Sequence, residues 1–484
     1  MRFLLRNIVL FTTVAAVQFP AEIFAAPACE RRANNTQQKL LECVTLDGVN
    51  RHLQALQDIA DANGGTRATG TIGFDESVDY VAGLLERAGY EVTIQPFLVN
   101  AFTEVSPAVL EQVAPSPTGP IPSNTMTYSG SGDVTSSVTV LPDAPGDLTP
   151  GCEAADFVGF PAGDIALIGR GTCSFNLKAT NAYNAGATGV VFYNDEPGPF
   201  NGTLSPDFTP NIPVTAVTDV IGEQLAITPG LVLRLATDTI RNEWTSYNVL
   251  AETTSGDSNN VIMAGAHLDS VNQGPGIQDN GTGSAAILET ALVMARVRPR
   301  NTVRFAWWGA SEFGLVGSDH YVLGLSEEER ANIALYLNFD QIGSPNYVRF
   351  VYDGDGSEFG LAGPDGSAAI ESYFQGFYSA RGLEFEATEI SFRSDYAAFF
   401  DAGIPFGGIF TGAERIKTPE QQAIYGGIAG EQYDQCYHLA CDTFDNVNQE
   451  VLELNADVAA SAILHFSSVN MMLPRPIPPV CEMP

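Results

Sequence analysis

The chain has 484 residues, enough for two or three domains that each bury their own core. Its 57 acidic residues outnumber its 23 basic residues, which gives a formal net charge of −34 at pH 7. Nucleic acid and anionic membrane surfaces repel such a chain, so both are discounted as partners, and the acidic surface is expected to aid solubility.

The first 28 residues have the layout of a secretory signal. Two arginines flank the start of an apolar run, and the small residues Ala25, Ala26 and Ala28 follow it. We therefore expect residues 1–28 to be cleaved and the protein to be secreted or periplasmic. Polar residues interrupt the run well short of a membrane-spanning length, and no later segment is long enough, so no membrane span is expected.

The seven cysteines fit an oxidising compartment. Pairing cysteines that are close in the sequence predicts three local disulfides and leaves Cys481 free, although seven cysteines permit many other pairings. Thiolate ligation of a metal is the alternative, but the chain has no CxxC pair to support it. The predicted disulfides are Cys29–Cys43, Cys152–Cys173 and Cys436–Cys441.

Two helices and a strand are predicted near the start of the mature chain. Residues 49–62 and 77–90 carry apolar residues at helical spacing next to glycine breakers, and the alternating stretch EVTIQPF follows them. Residues 105–150 are rich in Pro, Ser, Gly and Thr, which predicts loops, short strands and a domain boundary. Beyond it, residues 125–236 contain short β-like runs and one helical stretch, FNLKATNAYNAGA, and are expected to form an inserted unit.

After residue 237, near-continuous apolar runs alternate with helical segments such as GSAAILETALVMARV. The runs VIMAGAHLD, TVRFAWWGA and IALYLNFD end in polar residues, as buried parallel strands do. This alternation predicts an α/β fold with a mainly parallel, mixed sheet and helices on both faces. Functional groups are then expected at the carboxyl ends of the strands.

Metal-capable side chains follow these three strand-like runs. His267 and Asp269 end the first, Glu312 follows the second, and Asp340 ends the third. Asp279 lies twelve residues after His267. A lone histidine or acid is usually a structural or solvated residue, but the carboxyl ends of parallel strands meet in one crevice. We therefore expect these side chains to converge.

A second histidine, His438, lies far downstream in CYHLAC. Imidazole and carboxylate groups are ordinary zinc ligands, and one carboxylate can bridge two ions about 3.5–4 Å apart. The sequence therefore predicts a site for two zinc ions. Asp269, two residues after His267, is placed to orient that imidazole.

Five segments carry a more specific pattern: GAHLDSVNQGPGIQDNGTGSAA, FAWWGASEFGLVGS, YLNFDQIGSPN, RSDYAAFFDAGIPFGGIFTGAE and YDQCYHLACDT. Together they resemble the secreted two-zinc aminopeptidases of metallopeptidase family 28, in the family's order, within residues 45–125 and 237–470. The resemblance implies an exopeptidase that hydrolyses N-terminal residues from peptides or proteins through a zinc-bridging hydroxide; separately, we expect the protein to be monomeric. It implies two Zn²⁺ ions bound by His267, Asp279, Glu312, Asp340 and His438, with Asp279 bridging.

The resemblance also implies roles beyond the metal ligands. Tyr437 is expected to stabilise the tetrahedral intermediate, and Arg393 in RSDY is expected near the substrate. The substrate's amino terminus is expected near one zinc and Asp340. The Cys436–Cys441 disulfide would fix the loop that presents Tyr437 and His438.

The inserted unit resembles the protease-associated domain. RGTCSFNLKATNAYNAGATGVVFYND contains the signature of that domain, a cysteine after Gly171-Thr172 followed by AGA-x-GV. Such domains carry no chemistry, so no catalytic residue is expected between 127 and 236. The expected domains are a signal peptide (1–28), a split catalytic domain of zinc-exopeptidase type (29–125 and 237–472), the small β-rich protease-associated domain (126–236) and a C-terminal tail (473–484).

The chain departs from the family pattern at Ser311. The family has two adjacent glutamates there, as in GAEELG; the first is the general base and the second is a ligand. GASEFG aligns Ser311 with the base and Glu312 with the ligand. A serine hydroxyl has no accessible conjugate base near neutral pH, and general acid–base assistance is typically worth about 10²–10⁴ in rate.

Three hypotheses follow from Ser311, and we prefer the first. The chain is an aminopeptidase with a relocated base, for example a carboxylate from another loop such as Glu414. Alternatively, it is a zinc-retaining pseudopeptidase or peptide-binding protein with little turnover. In the third hypothesis it is a related hydrolase whose substrate makes the base dispensable.

Overall fold

The computed structural model describes residue 29 and residues 31–141, 149–195, 197–198 and 202–470. The expected signal peptide, the expected C-terminal tail and Cys481 lie outside these residues. The chain divides into two compact units: one contains the residues up to 97 and from 246 onward, and the other contains residues 98–245. The domain boundaries expected at 126 and 236 stay a prediction.

The elements are numbered in chain order. The helices are α1 (Gln37–Leu41), α2 (Leu46–Ala62), α3 (Ile72–Ala88), α4 (Phe175–Asn184), α5 (Asp219–Ala226), α6 (Thr282–Met294), α7 (Val316–Gly324), α8 (Glu327–Asn332), α9 (Ser367–Ser379), α10 (Tyr396–Asp401), α11 (Pro419–Tyr425) and α12 (Gln449–Ser468). The strands are β1 (Glu91–Ala114), β2 (Gly119–Pro120), β3 (Asn124–Thr125), β4 (Gly132–Val140), β5 (Ile165–Gly169), β6 (Gly189–Tyr193), β7 (Val214–Val217), β8 (Val232–Glu252), β9 (Asp257–His267), β10 (Asn301–Trp308), β11 (Ile333–Phe339), β12 (Phe350–Tyr352), β13 (Glu386–Thr388) and β14 (Phe406–Phe410).

The first unit is built on a mixed sheet whose strand order is β13-β12-β14-β11-β9-β10-β8. The central pairs β11–β9 and β9–β10 are parallel, as are β11–β14 and β12–β13. The strands β8 and β12 pair antiparallel with β10 and β14. The mainly parallel, mixed sheet predicted from the apolar runs is therefore confirmed.

Helices cover both faces of this sheet, and the alternation of side chains along the strands shows why. Successive side chains on a strand point to opposite faces. Trp307 packs in a core with residues of α2, α3, α6 and α12, whereas Trp308 packs in a separate core with residues of α7 and α10. Both indoles are fully buried. Two buried faces explain why long runs of these strands are almost continuously apolar.

The predicted helices near the start of the chain are present, with shifted boundaries. The helix predicted at 77–90 is α3 (Ile72–Ala88). Thr71 caps it by accepting a hydrogen bond from the backbone N–H of Phe74, and Gly89 ends it with φ 94°. The left-handed backbone at this position favours glycine.

The prediction for the segment from residue 105 is wrong over its first ten residues. Strand β1 begins as predicted at Glu91 but continues to Ala114. The segment keeps valines at 105, 109 and 113, and β-branched side chains favour an extended backbone even where proline and serine are frequent.

The second unit contains a smaller sheet. Strands β4, β5, β6 and β7 pair in parallel in that order, and β3 pairs antiparallel with β7. These strands correspond to the short β-like runs of the sequence, and α4 corresponds to the helical stretch between two of them. Buried residues such as Ala179, Phe192 and Val214 form a core of the unit.

The described residues contain three disulfides, which join cysteines that are neighbours in the sequence. They are Cys29–Cys43, Cys152–Cys173 and Cys436–Cys441. Within the described part of the chain, no helix combines the length and the apolar character that a membrane crossing requires.

Candidate metal centre

Three strand ends bring four of the predicted site residues to one edge of the sheet. His267 is the last residue of β9, and Trp308 at the end of β10 is its partner in the parallel register. Asp340 follows β11, which pairs with β9 on the other side. Asp269 and Glu312 lie a few residues beyond their strands. Parallel pairing thus places the polar ends of three apolar strands side by side.

Asp279 lies in the irregular turn Ile277–Gly281, directly before α6. The backbone N–H groups of Gln278 and Asp279 donate to the Asp442 carboxylate at 2.8 and 3.0 Å. Asp442 itself is buried and follows the Cys436–Cys441 disulfide in the chain. One buried carboxylate therefore ties the turn that carries Asp279 to the loop that carries the second histidine.

His438 lies in the short loop that the Cys436–Cys441 disulfide closes. Its backbone adopts φ 59°, in the left-handed region that a residue with a side chain rarely visits. The ring of Tyr437 stacks on the imidazole with 3.8 Å between the ring centroids. The disulfide and the stacking together hold the His438 ring in a defined position.

All five residues predicted as metal ligands lie together, arranged around the Asp279 carboxylate. Asp279 Oδ1 lies 3.2 Å from His267 Nε2, and Asp279 Oδ2 lies 3.3 Å from His438 Nε2. Each imidazole also faces a second carboxylate: His267 Nε2 is 3.4 Å from Asp340 Oδ1, and His438 Nε2 is 3.1 Å from Glu312 Oε2. The arrangement consists of two similar groups that share one carboxylate.

Two carboxylate oxygens in this cluster accept no hydrogen bond of normal geometry from the described residues, although one of them lies 3.4 Å from an imidazole nitrogen. They are Asp340 Oδ1 and Glu312 Oε1, and both are buried. A buried carboxylate oxygen without a donor is unfavourable, so the site has acceptor capacity that the protein itself does not fill.

Together, the charges and the burial of the cluster raise the pKa values of both imidazoles and of Glu312. Burial opposes a charged imidazole, but the negative charge of Asp340 and hydrogen bonds to further carboxylates raise the pKa of His267 well above its usual value. At His438, hydrogen bonds to Asp279 and Glu312 also outweigh burial and raise the pKa to about 10. Burial and the charge of Asp279 raise the pKa of Glu312. The two imidazoles thus favour a positive charge at positions surrounded by acids.

Asp269 contacts both the histidine and the loop after β10. His267 Nδ1 lies 3.1 Å from the Asp269 backbone carbonyl and 3.7 Å from its carboxylate. That carboxylate accepts hydrogen bonds from the backbone N–H groups of Ser311 (3.1 Å) and Glu312 (3.3 Å). Asp269 therefore holds the imidazole mainly through its carbonyl, while its side chain positions Ser311 and Glu312.

Ser311 lies at the edge of this cluster, next to a carboxylate that the sequence analysis did not single out. Its hydroxyl donates to Asp395 Oδ2 at 3.1 Å. The neighbouring Ser394 hydroxyl donates to Asp340 Oδ2 at 2.6 Å. The segment RSDY thus contacts both the serine in question and one of the predicted ligands.

Arg393 and Tyr437 lie together beside the cluster. Arg393 donates to the Tyr437 hydroxyl at 3.2 Å and forms an ion pair with Glu414 at 2.6 Å. A cavity of about 250 Å³ opens at this point, and Asp340 and Tyr437 belong to its lining. The cavity wall also includes aromatic side chains, namely Phe350, Tyr352, Phe359, Phe410 and Tyr433.

Sequence reasoning missed three residues that support the site. Asp395 belongs to the segment that begins RSDY, and Asp442 belongs to YDQCYHLACDT. Nothing in the sequence indicates which backbone or side-chain groups a buried acid will contact. Arg67 is fully buried and donates to the backbone carbonyls of Leu268, Pro275 and Gly276, in the segment after His267. A single arginine far upstream carries no sequence signal for this role.

Comparison with known proteins is consistent with this arrangement. Residues 248–463 match the model of peptidase family M28, and residues 137–225 match that of the PA domain. An aminopeptidase of Pseudomonas aeruginosa is 50% identical over 437 residues, which is 88% of this chain and 82% of that protein. Leucine aminopeptidase 2 of Arthroderma otae is 39% identical over 421 residues, 86% of this chain and 83% of that protein.

A solved structure shares the fold over most of the chain. The aminopeptidase from Aneurinibacillus sp. strain AM-1 superposes with a TM-score of 0.67 at 26% identity, covering 91% of this chain and 98% of that one. The zinc aminopeptidase BSAP of Bacillus subtilis has the same fold, with a TM-score of 0.55 at 24% identity, covering 87% of this chain and 95% of that one. On the sequence identity and coverage of these relatives, the chain belongs to peptidase family M28 and carries a protease-associated domain.

Proposed function

We propose that this protein is a secreted aminopeptidase that holds two zinc ions and removes N-terminal residues from peptides or proteins. The proposal rests above all on one observation: the Asp279 carboxylate lies between two imidazoles, each of which faces a further carboxylate. The names of the Pseudomonas and Arthroderma relatives support the activity.

The side chains present fit a pair of divalent cations. His267 and Asp340 would hold one ion and His438 and Glu312 the other, with Asp279 shared. Their nitrogen and oxygen donors are ordinary for zinc, and the oxygens of Asp340 and Glu312 that accept no hydrogen bond have the free acceptor capacity that a cation needs. Bound zinc would supply Lewis-acid polarisation of the peptide carbonyl and lower the pKa of a water molecule.

Tyr437 is the proposed donor to the peptide carbonyl oxygen as negative charge develops there. Burial and the negative charges of Asp279 and Glu312 raise the pKa of its phenol above the usual range. The phenol therefore keeps its proton at neutral pH and can donate a hydrogen bond. Arg393, in contact with the same hydroxyl, restricts where it lies.

The cavity beside Asp340 is the proposed site for the substrate's first side chain. Its aromatic side chains can pack against an apolar group although charged side chains also line it, and Asp340 on the same wall attracts the positively charged amino terminus. An enzyme that recognises its substrate in this way requires a free amine and tolerates large apolar first residues.

Ser311 supports a second candidate function, a zinc-retaining peptide-binding protein with little turnover. The family pattern has a glutamate at this position, and the serine hydroxyl alone cannot act as a base near neutral pH. Binding of a peptide amino terminus would then remain, without rapid hydrolysis.

The test combines metal content with hydrolysis rates. The purified protein is assayed for zinc and for release of nitroaniline from a panel of aminoacyl-nitroanilides, with N-acetylated versions as the matched control. We expect close to two zinc ions per chain and hydrolysis of the free-amine substrates alone. Absence of zinc, or equal hydrolysis of the acetylated substrates, would contradict the proposal. Full zinc content with no turnover would favour the peptide-binding alternative.

Secretion is proposed on separate grounds. The three disulfides require an oxidising compartment, and the N-terminal residues have the layout of a signal. N-terminal sequencing of the exported protein should place its first residue close to Cys29. A protein that keeps Met1 and remains inside the cell would contradict this.

A further inference from the structure

The carboxylate that contacts Ser311 is buried and has few partners. Asp395 immediately precedes α10 and is 1% exposed. One of its oxygens accepts from the Ser311 hydroxyl at 3.1 Å and the other from the Ser318 hydroxyl at 2.7 Å. In the part of the chain that the structure describes, no lysine, arginine or histidine forms an ion pair with it. Asp395 is therefore a buried acid held by two neutral hydroxyl groups.

Burial makes such a carboxylate a better proton acceptor than an exposed one. Burial raises the pKa of Asp395 to about 7, against the positive charge of His267 and the hydrogen bond from Ser318. Neighbouring negative charges act in the same direction as burial. The titratable groups that act on Asp395 or respond to its charge are His267, Asp269, Asp340 and Tyr336.

The position of Ser311 connects this acid to the cluster of predicted ligands. The backbone N–H groups of Ser311 and Glu312 share the Asp269 carboxylate, so the serine is fixed next to a predicted ligand. Its hydroxyl has one hydrogen to donate, which Asp395 receives, and its oxygen retains lone pairs that can accept a hydrogen bond from water.

We propose that Ser311 and Asp395 together replace the general base of the family, with Ser311 passing a proton from the attacking water to Asp395. This inference rests on the proposed aminopeptidase function. Asp395 is the proton acceptor, and Ser311 is the residue that contacts the attacking water.

The proton transfers balance in two steps. In the first, the water oxygen bonds to the peptide carbonyl carbon as one water O–H bond breaks. That proton goes to Ser311 Oγ, and the proton of the Ser311 hydroxyl goes to Asp395 Oδ2. In the second, the C–N bond breaks, the proton on Asp395 returns to Ser311, and Ser311 delivers a proton to the leaving amine. Both residues end as they began, and no oxidant or reductant is needed.

Glu414, the alternative carboxylate considered from the sequence, is less suited to this task. Its partial burial favours the protonated form, but the Arg393 guanidinium at 2.6 Å lowers its pKa below the usual value. A carboxylate held in an ion pair is a weaker proton acceptor. Among the carboxylates of the described residues, Asp395 is the one that hydrogen-bonds to the Ser311 side chain.

The test is a set of single and double variants of the full-length, zinc-loaded protein, assayed for kcat and for the pH dependence of kcat/KM. Ser311→Ala and Asp395→Asn should each lower kcat by about 10²-fold or more, the usual size of general-base assistance. The double variant should lose little beyond either single variant, because both substitutions break the same path. Zinc content and circular dichroism are measured for each variant to exclude unfolding.

The pH profile separates a proton acceptor from a structural residue. The wild type should show an acidic limb in kcat/KM that Asp395→Asn abolishes. Ser318→Ala is the matched control: it removes the other hydrogen bond to Asp395 without interrupting the path to the water. That variant should keep the limb and shift it to higher pH, because losing a donor raises the pKa of a carboxylate.

Ser311→Glu restores the family's base. It shows whether a negative result contradicts the proton path alone or the proposed aminopeptidase function as well. In this background Asp395→Asn should have a much smaller effect than in the wild type. The proton path alone would be overturned if Asp395→Asn kept the wild-type kcat and the acidic limb. Full activity of Ser311→Ala would have the same consequence. An inactive wild type with an active Ser311→Glu variant would also overturn it. Inactivity of both with zinc bound would overturn the proposed function and the path with it.

Discussion

Two sites of the molecule, one in each unit, differ in how their buried charges are satisfied. In residues 98–245, Lys178 is fully buried, and its ammonium group donates to the backbone carbonyls of Pro150, Gly169 and Arg170. These contacts use all three of its hydrogens. In the other unit, the buried carboxylates of Asp340 and Glu312 each keep an oxygen that accepts no hydrogen bond from the described residues. A satisfied buried charge holds a fold together, whereas unsatisfied acceptors that face imidazoles indicate a place for a ligand.

Removing an imidazole should have the largest effect on zinc binding and activity, because the imidazole is one of the groups expected to bind the metal ions. His267→Ala or His438→Ala should abolish tight zinc binding and lower kcat/KM by well over 100-fold, since residues that only support a ligand already cost about 10–100-fold. Zinc analysis and rates on an aminoacyl-nitroanilide measure both. Full zinc content in His438→Ala would show that the ligand assignment is wrong.

Removing the buried charge of Lys178 should lower the stability of residues 98–245 and leave zinc binding intact. Lys178→Met keeps the apolar volume but removes the donor to three backbone carbonyls, and a buried carbonyl that loses its donor costs roughly 1–3 kcal/mol. We expect the free energy of unfolding of residues 98–245 to fall by about 3 kcal/mol or more, with zinc content unchanged. Denaturant titration measures the loss.

An exposed lysine provides the control for this substitution. Lys39 lies on the surface of the other unit, so Lys39→Met should change stability by less than about 0.5 kcal/mol. If Lys178→Met were equally harmless, the carbonyl contacts would not hold that unit together, and the contrast between the two units would lose its basis.

The sequence predicted the strand ends well because their convergence follows from general geometry. His267, Glu312 and Asp340 follow three apolar runs, and parallel pairing brings such ends together whatever the details of packing. His438 was different. It belongs to a loop far downstream, so only the resemblance to a family placed it near the others.

The contacts of buried polar side chains could not be predicted. The sequence indicated that Ser311 lacks the carboxylate expected at its position, but the partner of its hydroxyl depends on how the loop after β10 packs against the start of α10. Asp395 is 84 positions further along the chain. Similarly, the role of Asp442 depends on the path of the turn that contains Asp279, and no local pattern encodes that path.

One disulfide in each unit allows the metal centre and residues 98–245 to be compared by the same substitution, cysteine to serine. Replacing Cys436 and Cys441 by serine should lower zinc affinity roughly 10-fold, because the loop that holds His438 in a left-handed backbone conformation loses its closure. Replacing Cys152 and Cys173 by serine should destabilise residues 98–245 by about 3 kcal/mol without changing zinc affinity. Competition with a chelator measures the affinity. Equal zinc affinity in both double variants would mean that the Cys436–Cys441 disulfide does not position His438.

The smallest effect concerns the pH dependence of the metal-free protein. Carboxylates raise the pKa of His438 from 6.5 in the unfolded chain to about 10 in the folded one. A raised pKa means that the folded state binds the proton more tightly, so this stabilisation is complete below pH 6.5 and is lost as the pH rises through about 10. Thermal unfolding with a chelator present should therefore show a melting temperature that falls as the solution becomes alkaline.

Zinc and the proton compete for the same imidazole nitrogen, and this provides the control. Because a ligating histidine must be neutral, zinc binding at neutral pH should release protons, which calorimetry in buffers of different ionisation enthalpy detects. His438→Asn should release fewer protons and should weaken the alkaline fall of the metal-free melting temperature. The Cys152–Cys173 disulfide lies in residues 98–245, and none of the predicted ligands does, so Cys152→Ser/Cys173→Ser should leave proton release unchanged. Proton release that is the same with and without the His438 imidazole would show that its proton is not the one that zinc displaces.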